Sequence, residues 1–205
     1  MRALPELLRA RPSAHVLVVG EDGVSYGSLP KKHKNWRMYM LEEMGSKLDE
    51  AAAKRVHFLG RLDREAFTRV LQLSTVHVYL TYPFVLSWSL IEAMSVGCAI
   101  VASDTAPVQE VLKHEGNALL VDFFDHAFLV KQIESLLSNQ RRREELSVAA
   151  RRAAVEGFDL RKVCLPRQVE LLESLCGKAT LTPSRSHRST PLPPTVGSGW
   201  VQRSR

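Results

Sequence analysis

One segment of this sequence has residue types and spacing that could bind an anion. Residues 81–86 connect a predicted strand to a helix that is predicted to begin near Ser87 and to end before Gly97. The first amides of a helix have no partner within it and lie at the positive end of its dipole, so they form a natural anion site. Glu92 follows just over one turn later, where its carboxylate could accept hydrogen bonds from two adjacent hydroxyls, as on a ribose. The alternative is that Ser87 only caps the helix and Glu92 faces solvent.

Short apolar runs alternate with longer amphipathic stretches along the first 175 residues. The apolar runs predict strands at residues 15–20, 55–60, 76–80, 98–102 and 118–121. The other stretches predict helices at residues 1–10, 35–48, 63–73, 87–96, 106–112, 125–138, 140–155 and 159–175. Strands that are apolar on both faces and separated by helices are typical of a parallel sheet covered on both sides. We therefore predict a three-layer, doubly wound, Rossmann-like α/β fold, whose ligands bind at the carboxyl ends of the strands.

Most of the positive charge lies at the C-terminal end of the chain. The 205 residues carry a formal net charge of +6, but residues 178–205 contain five Lys or Arg and no acid. The remainder is close to neutral, which argues against a nucleic-acid partner. The same segment holds four of the ten prolines and nine Ser or Thr, a composition typical of disorder. We predict a folded domain over residues 1–176 and a disordered basic tail over residues 177–205, with weak contact to an anionic membrane surface as the alternative role of the tail.

Several classes of protein are excluded by what the sequence lacks. No apolar run approaches the roughly 20 residues of a membrane-spanning helix. Residues 1–6 include a proline and an acid where a signal peptide needs an apolar core. Three widely spaced cysteines and seven histidines show no disulfide or metal-ligand pattern, so we predict no metal site. The expected location is the cytoplasm, at the inner membrane face if the tail binds lipid.

Four segments carry a resemblance to a known family. Residues 90–104, Leu-Ile-Glu-Ala-Met-Ser-Val-Gly-Cys-Ala-Ile-Val-Ala-Ser-Asp, resemble the donor-binding segment of retaining GT-B glycosyltransferases, the glycosyl-transferases-group-1 family. Residues 56–62, 108–111 and 115–121 agree with the same family in order and spacing. The resemblance covers about residues 1–175 and implies the C-terminal, donor-binding half of a GT-B fold.

The resemblance implies a site for a nucleoside diphosphate sugar. In this family, two glutamates with seven residues between them flank the loop before the helix. The second contacts the donor ribose and matches Glu92, whereas the first contacts the donor sugar and falls on Phe84. A phenylalanine cannot accept a hydrogen bond from a sugar hydroxyl, so the sugar must be held differently. We assign the sugar pocket to Phe84, Val85 and Leu86.

The resemblance also implies where the phosphates and the base would lie. The amides of Ser87, Trp88 and Ser89 stand where the family has a glycine-rich loop, and they are the candidates for the diphosphate. Gly60 and Arg61 correspond to the turn near the nucleotide base. The alternatives are that Trp88 packs in the core and that Gly60 and Arg61 form an ordinary strand-to-helix turn.

Some parts of the family's pattern have no counterpart in this sequence. The family has a central first strand before the first helix, a following loop that supplies an arginine and a lysine to the diphosphate, and an N-terminal Rossmann domain with the acceptor site. Loss of a central strand would leave the edges of its neighbours unpaired. We therefore expect the isolated chain to be marginally stable, or to pair with another chain such as one carrying the N-terminal domain.

Three hypotheses for the function follow. The first is the donor-binding half of a retaining glycosyltransferase, which needs no cofactor besides its nucleotide-sugar substrate and whose acceptor the sequence does not identify. Its chemistry would depend on positioning and on stabilising the departing diphosphate. The second is a truncated, catalytically inactive fragment that at most binds a nucleotide. The third is an unrelated Rossmann-like binding module that uses the same helix start.

Overall fold

A computed structural model describes residues 1–24, 27–81 and 85–176, and strands alternate with helices along this part of the chain. The strands are β1 (Val16–Val19), β2 (Val56–Gly60), β3 (His77–Tyr79), β4 (Ile100–Ser103) and β5 (Leu119–Val121). The helices are α1 (Leu4–Ala10), α2 (Trp36–Met44), α3 (Glu50–Ala53), α4 (Arg64–Leu73), α5 (Trp88–Val96), α6 (Ala106–Gln109), α7 (His126–Ser138), α8 (Gln140–Phe158) and α9 (Leu165–Cys176).

The chain divides into two compact units, Met1–Pro166 and Arg167–Arg205. The first contains all five strands. The second is described only as far as residue 176, where it forms the remainder of α9 with no buried residue. The predicted tail, residues 177–205, lies outside the described residues. Within the described residues, none of the helices is both long and apolar enough to cross a membrane.

The strands form two parallel sheets. β1 pairs with β2 in one sheet, and the other has the order β3-β4-β5. Every pairing is parallel and every connection between consecutive strands contains a helix. The predicted Rossmann-like α/β class is thereby confirmed. The sheet is divided, however, because no strand of the described residues lies between β1 and β3.

The two faces of the three-stranded sheet are covered by different sets of helices, and α8 contributes to both. All four residues of β4, the central strand, are buried. Ile100 and Ala102 pack in a cluster with residues of α4, α5 and α8. Val101 packs in a second cluster with α1 and α7 and with Leu146 of α8. Small side chains at Ala93 of α5 and Ala150 of α8 are fully buried in the first cluster, which lets the two helices approach closely.

Helix α1 contributes to the cores of both sheets. Leu7, with Ala3 just before the helix, belongs to the cluster that contains Val101. Leu4 and Leu8 belong to a third cluster with the first residues of β1 and β2 and with α3. All four side chains are at most 8% exposed. A single helix therefore covers one face of both sheets.

Local signals in the sequence predict some helix ends well. Asp63 caps α4 by accepting a hydrogen bond from the amide three residues later at 2.8 Å, and Gly97 ends α5 with a φ of +86°, as predicted. The prediction of one helix over residues 35–48 is wrong. Gly45, at a φ of +43°, ends α2, a short 3-10 turn follows, and Asp49 caps the separate helix α3.

The side chain of Ser103, at the end of β4, is hydrogen-bonded to the segment that follows β3. This contact lies beyond the last residue pair of the two strands. The side chain of Ser103 is completely buried. The hydroxyl accepts a hydrogen bond from the Thr81 amide and donates one to the Thr81 carbonyl, both at 2.9 Å. The loop that leads from β3 toward α5 is thus held at Thr81, its second residue.

Replacing Ser103 by alanine leaves both backbone groups of Thr81 without their partner. We expect Ser103→Ala to lower the free energy of unfolding by about 2 kcal/mol, as for other buried hydrogen-bonding groups left unsatisfied. Urea denaturation measures the change. Ser135→Ala, which removes an exposed hydroxyl within α7, is the control and should change stability by less than about 0.5 kcal/mol. Equal effects of the two substitutions would contradict this role of Ser103.

His77 makes the stability of the first unit depend on pH. Burial lowers the pKa of this imidazole from 6.5 to about 4. Below pH 6.5 the unfolded chain therefore binds a proton that the folded chain does not, and stability falls as the pH drops toward 4. We expect a loss of about 3 kcal/mol over this range from His77. Urea denaturation of the native chain and of His77→Gln between pH 7 and pH 4 measures this. The free energy of unfolding of His77→Gln should depend less on pH, and an equal dependence in both chains would contradict the role of His77.

Candidate functional site

Two glycines at the carboxyl ends of β1 and β2 shape one edge of the first sheet. The Gly20 amide donates to the Gly60 carbonyl at 2.9 Å, and their φ angles of +137° and +65° are values that side chains disfavour. Arg61, directly after Gly60, lies 3.7 Å from the carboxylate of Glu21 in an exposed ion pair. Gly60 and Arg61, the residues predicted to meet the nucleotide base, therefore lie at the end of a strand. The ion pair of Arg61 with Glu21 is weak because both side chains are exposed.

Arg37 of α2 also lies at this sheet. Its guanidinium sits 3.9 Å from the centre of the Phe58 ring and donates to the Asp22 carboxylate at 3.3 Å. A cation over an aromatic face is attracted by the ring quadrupole. The contact connects α2 and the loop after β1 to β2, and the sequence did not predict it.

The start of α5 is built by hydrogen bonds among three residues. Ser87 is the N-cap, as predicted, and its hydroxyl oxygen accepts from the Ser89 amide at 3.3 Å. The Ser87 amide donates to the phenolic oxygen of Tyr79 at 3.0 Å. Two of the three amides predicted to bind the diphosphate thus already have acceptors. Within the described residues, the Trp88 amide has none.

Trp88 and Glu92 lie one helical turn apart on the same face of α5. The side chain of Trp88 is 85% exposed, so the alternative that it packs in the core is wrong. Glu92 is partly buried and makes no hydrogen bond or ion pair with any described residue. The buried face of the helix is formed by Leu90, Ala93 and Met94. Among the described residues, this carboxylate has no partner that a ligand would have to displace.

The predicted sugar pocket is only partly described. Phe84 lies outside the described residues. Val85 is exposed, whereas Leu86 packs partly buried against the cluster that contains α4, α5 and α8. The two described residues therefore offer aliphatic side chains and backbone groups at this position.

Polar residues also follow β4 at the same edge of the second sheet. The Asp104 carboxylate accepts a hydrogen bond from the side-chain amide of Gln109 at 2.6 Å. The hydroxyl oxygen of Thr105 is buried and has no hydrogen-bond partner among the described residues. Across the part of the chain that the structure describes, no three His, Cys, Asp or Glu side chains come together as a metal site.

Sequence reasoning missed Tyr79 as part of this edge, although its position could have indicated it. The sequence predicts Tyr79 as a packed residue inside a strand over residues 76–80, whereas the structure makes it the last residue of β3. Its ring packs with the apolar cluster while its hydroxyl reaches the helix start eight residues later. An aromatic residue with a polar tip at the carboxyl end of a strand is the signal that could have found it.

Several solved structures have folds similar to that of this chain. HepE from Anabaena in complex with UDP-glucose superposes with a TM-score of 0.67 at 18% identity, covering 86% of this chain and 45% of that chain. Sucrose-phosphate synthase from Thermosynechococcus elongatus gives 0.67 at 22% identity, covering 85% and 42%. The C-terminal domain of LpcC, a glycosyl transferase group 1 family protein from Francisella tularensis, gives 0.65 at 15% identity, covering 78% and 77%. This chain thus spans less than half the length of HepE.

Sequence comparison identifies the family. No curated protein matches the chain. The model of the glycosyl transferases group 1 family matches residues 1–153, which include all five strands. The match excludes the hypothesis of an unrelated Rossmann-like module, and the chain belongs to the glycosyl transferases group 1 family.

Proposed function

We propose that this chain binds a nucleoside diphosphate sugar at the carboxyl ends of its strands and supplies the donor-binding half of a retaining glycosyltransferase. Membership of the family supports this role, as does the similarity of the fold to HepE, which was crystallised with UDP-glucose. The observation that carries the proposal is Glu92, a partly buried carboxylate without a described partner, one turn after the start of α5. It would accept the two hydroxyls of the donor ribose.

The diphosphate would lie at the start of α5. The positive end of the helix dipole favours its negative charge there. The Trp88 amide has no acceptor among the described residues. The amides of Ser87 and Ser89 would exchange their present acceptors, Tyr79 and the Ser87 hydroxyl, for phosphate oxygens. The exchange replaces neutral acceptors by a charged one, which makes the new hydrogen bonds stronger. These amides would stabilise the charge that develops on the departing diphosphate.

The base and the sugar would lie on either side of the diphosphate. Gly60 and Arg61 would meet the base, because Arg61 is exposed and only loosely paired with Glu21. Phe84, Val85 and Leu86 would surround the sugar with apolar surface and backbone groups. The proposal gives no role to a metal or a cofactor. The acceptor site would come from polypeptide outside this chain, which spans 45% of HepE.

A second candidate function is nucleotide binding without sugar transfer. It is favoured by Phe84, which stands where the resemblance places the glutamate that holds the donor sugar. The two candidate functions differ in how much the sugar contributes to the affinity for the ligand. A donor-binding half should bind a nucleotide sugar more tightly than the nucleotide alone, whereas a nucleotide-binding module should not discriminate between them.

Calorimetric titration with UDP, GDP and their glucose and mannose conjugates tests the proposal. We expect one of the two nucleotides to bind, and Glu92→Gln to weaken this binding by about tenfold to a hundredfold because a hydrogen-bonded charge is lost. Glu156→Gln, on the exposed side of α8, is the matched control and should leave binding unchanged.

Two results would overturn this account of the site. One is the absence of binding for both nucleotides while the chain is folded by circular dichroism. The other is equal binding by Glu92→Gln and the native chain, which would show that Glu92 does not hold the ribose.

A further inference from the structure

A loop between β1 and α2 concentrates positive charge on the surface of the first unit. Residues 23–41 contain four Lys or Arg and no acid, whereas residues 1–177 as a whole are close to neutral. Lys31, Lys32 and Lys34 are all exposed. Within the described part of the chain, none of the three forms an ion pair with an acidic side chain. Their charge is thus available to an anionic partner.

The four acids nearest to this loop in the sequence are all paired with other side chains. The pairs are Glu21 with Arg61, Asp22 with Arg37, Glu42 with His33, and Glu43 with Arg2. The acids on either side of the loop therefore do not compensate the charge of the three lysines.

Contacts at the base of the loop fix its shape. The indole N–H of Trp36, the first residue of α2, donates to the Ser28 carbonyl at 2.8 Å and closes the loop. Pro30 is buried, and the His33 amide donates to its carbonyl at 3.5 Å. The two lysines between them therefore occupy the centre of a turn. The turn is held at both ends and presents these lysines to solvent.

Two apolar side chains accompany the lysines on this loop. Leu29 is 56% exposed and Trp36 is 48% exposed. The polar tip of the indole already has its acceptor in the Ser28 carbonyl, so its exposed ring surface is suited to an apolar surrounding. Basic groups beside exposed aliphatic and aromatic side chains are typical of segments that bind anionic lipid surfaces. A polyanion such as RNA would attract the lysines but would offer Leu29 no apolar environment.

We propose that the loop formed by residues 28–36 docks on the surface of an anionic lipid bilayer. Its three lysines lie among the headgroups and attract their negative charge, while Leu29 and Trp36 enter the boundary between headgroups and acyl chains. None of these five side chains belongs to the proposed donor site, so the two proposals are tested separately. The loop is also distinct from the basic tail, residues 177–205, that the sequence suggested for contact with a membrane.

Sedimentation of the full chain with lipid vesicles tests the charged part of the surface. The vesicles contain equal parts of phosphatidylglycerol and phosphatidylcholine, and vesicles of phosphatidylcholine alone are the neutral comparison. The test variant and a control that removes the same charge from the tail are Lys31→Gln/Lys32→Gln/Lys34→Gln and Arg185→Gln/Arg188→Gln/Arg203→Gln. We expect the lysine variant to bind the anionic vesicles about a hundredfold more weakly, since each lysine at such a surface contributes several-fold. The tail variant should bind nearly as well as the native chain.

The apolar part of the surface is tested by replacing its leucine. Leu29 is exposed in the free chain, so Leu29→Ser should leave the fold intact while it removes a side chain that enters the bilayer. We expect this variant to bind the anionic vesicles about tenfold more weakly. Leu73→Ser, at a side chain of α4 that is 77% exposed, is the matched control and should leave binding unchanged.

The proposal is overturned by any of three results. The first is that the native chain, folded by circular dichroism, binds the anionic vesicles no better than the neutral ones. The second is an equal loss of binding in the lysine variant and the tail variant, which would indicate general charge attraction. The third is binding to a single-stranded RNA that the lysine variant weakens, while Leu29→Ser leaves vesicle binding unchanged, which would make the partner a nucleic acid.

Discussion

Helix α1 contributes side chains to the cores of both sheets, and the relation between the sheets depends on that double contact. Leu4 and Leu8 belong to the cluster of β1 and β2, whereas Leu7 belongs to the cluster of β4 and β5. Burial of a leucine side chain stabilises a fold by about 2 kcal/mol. No strand pairing joins β1 to β3 in the described residues. These contacts therefore stand in place of the hydrogen-bonded ladder that normally makes a parallel sheet continuous. The position of the first sheet's carboxyl end relative to the second therefore depends on side-chain packing.

This constraint matters because the proposed donor site uses both sheets. Gly60 and Arg61 end a strand of the first, and the start of α5 follows a strand of the second. In the free protein, Tyr79 and the Ser87 hydroxyl occupy amides that a diphosphate would need. The helix start is thus held in its capped geometry before a ligand arrives, which reduces the ordering required on binding.

The sequence predicted those features that depend on a few neighbouring residues. Asp63 and Gly97 mark helix ends because a carboxylate cap and a left-handed glycine act within one turn. The strand positions followed from runs of β-branched residues. The single helix predicted over residues 35–48 failed because Gly45 and Asp49 were not recognised as the end of one helix and the cap of the next.

Contacts between distant residues could not be read from local patterns. The pairing of Ser103 with Thr81 joins residues 22 positions apart, and Arg37 lies over Phe58 across an intervening helix. The exposure of Trp88 was also missed, since an aromatic residue is more often buried and only the packing of its neighbours decides the case. Glu92 was placed correctly on α5, and its role at the ribose stays a prediction.

The central claim is that the carboxyl ends of the two sheets form one nucleotide site. Residue-resolved amide hydrogen exchange of the full chain, with and without a saturating concentration of whichever of UDP and GDP binds, tests it most directly. The account predicts slower exchange at residues 87–89 and at residues 60–61 in the same titration, with a common midpoint. Slower exchange in only one of these two segments, or in α8 alone, would contradict the claim of a single site.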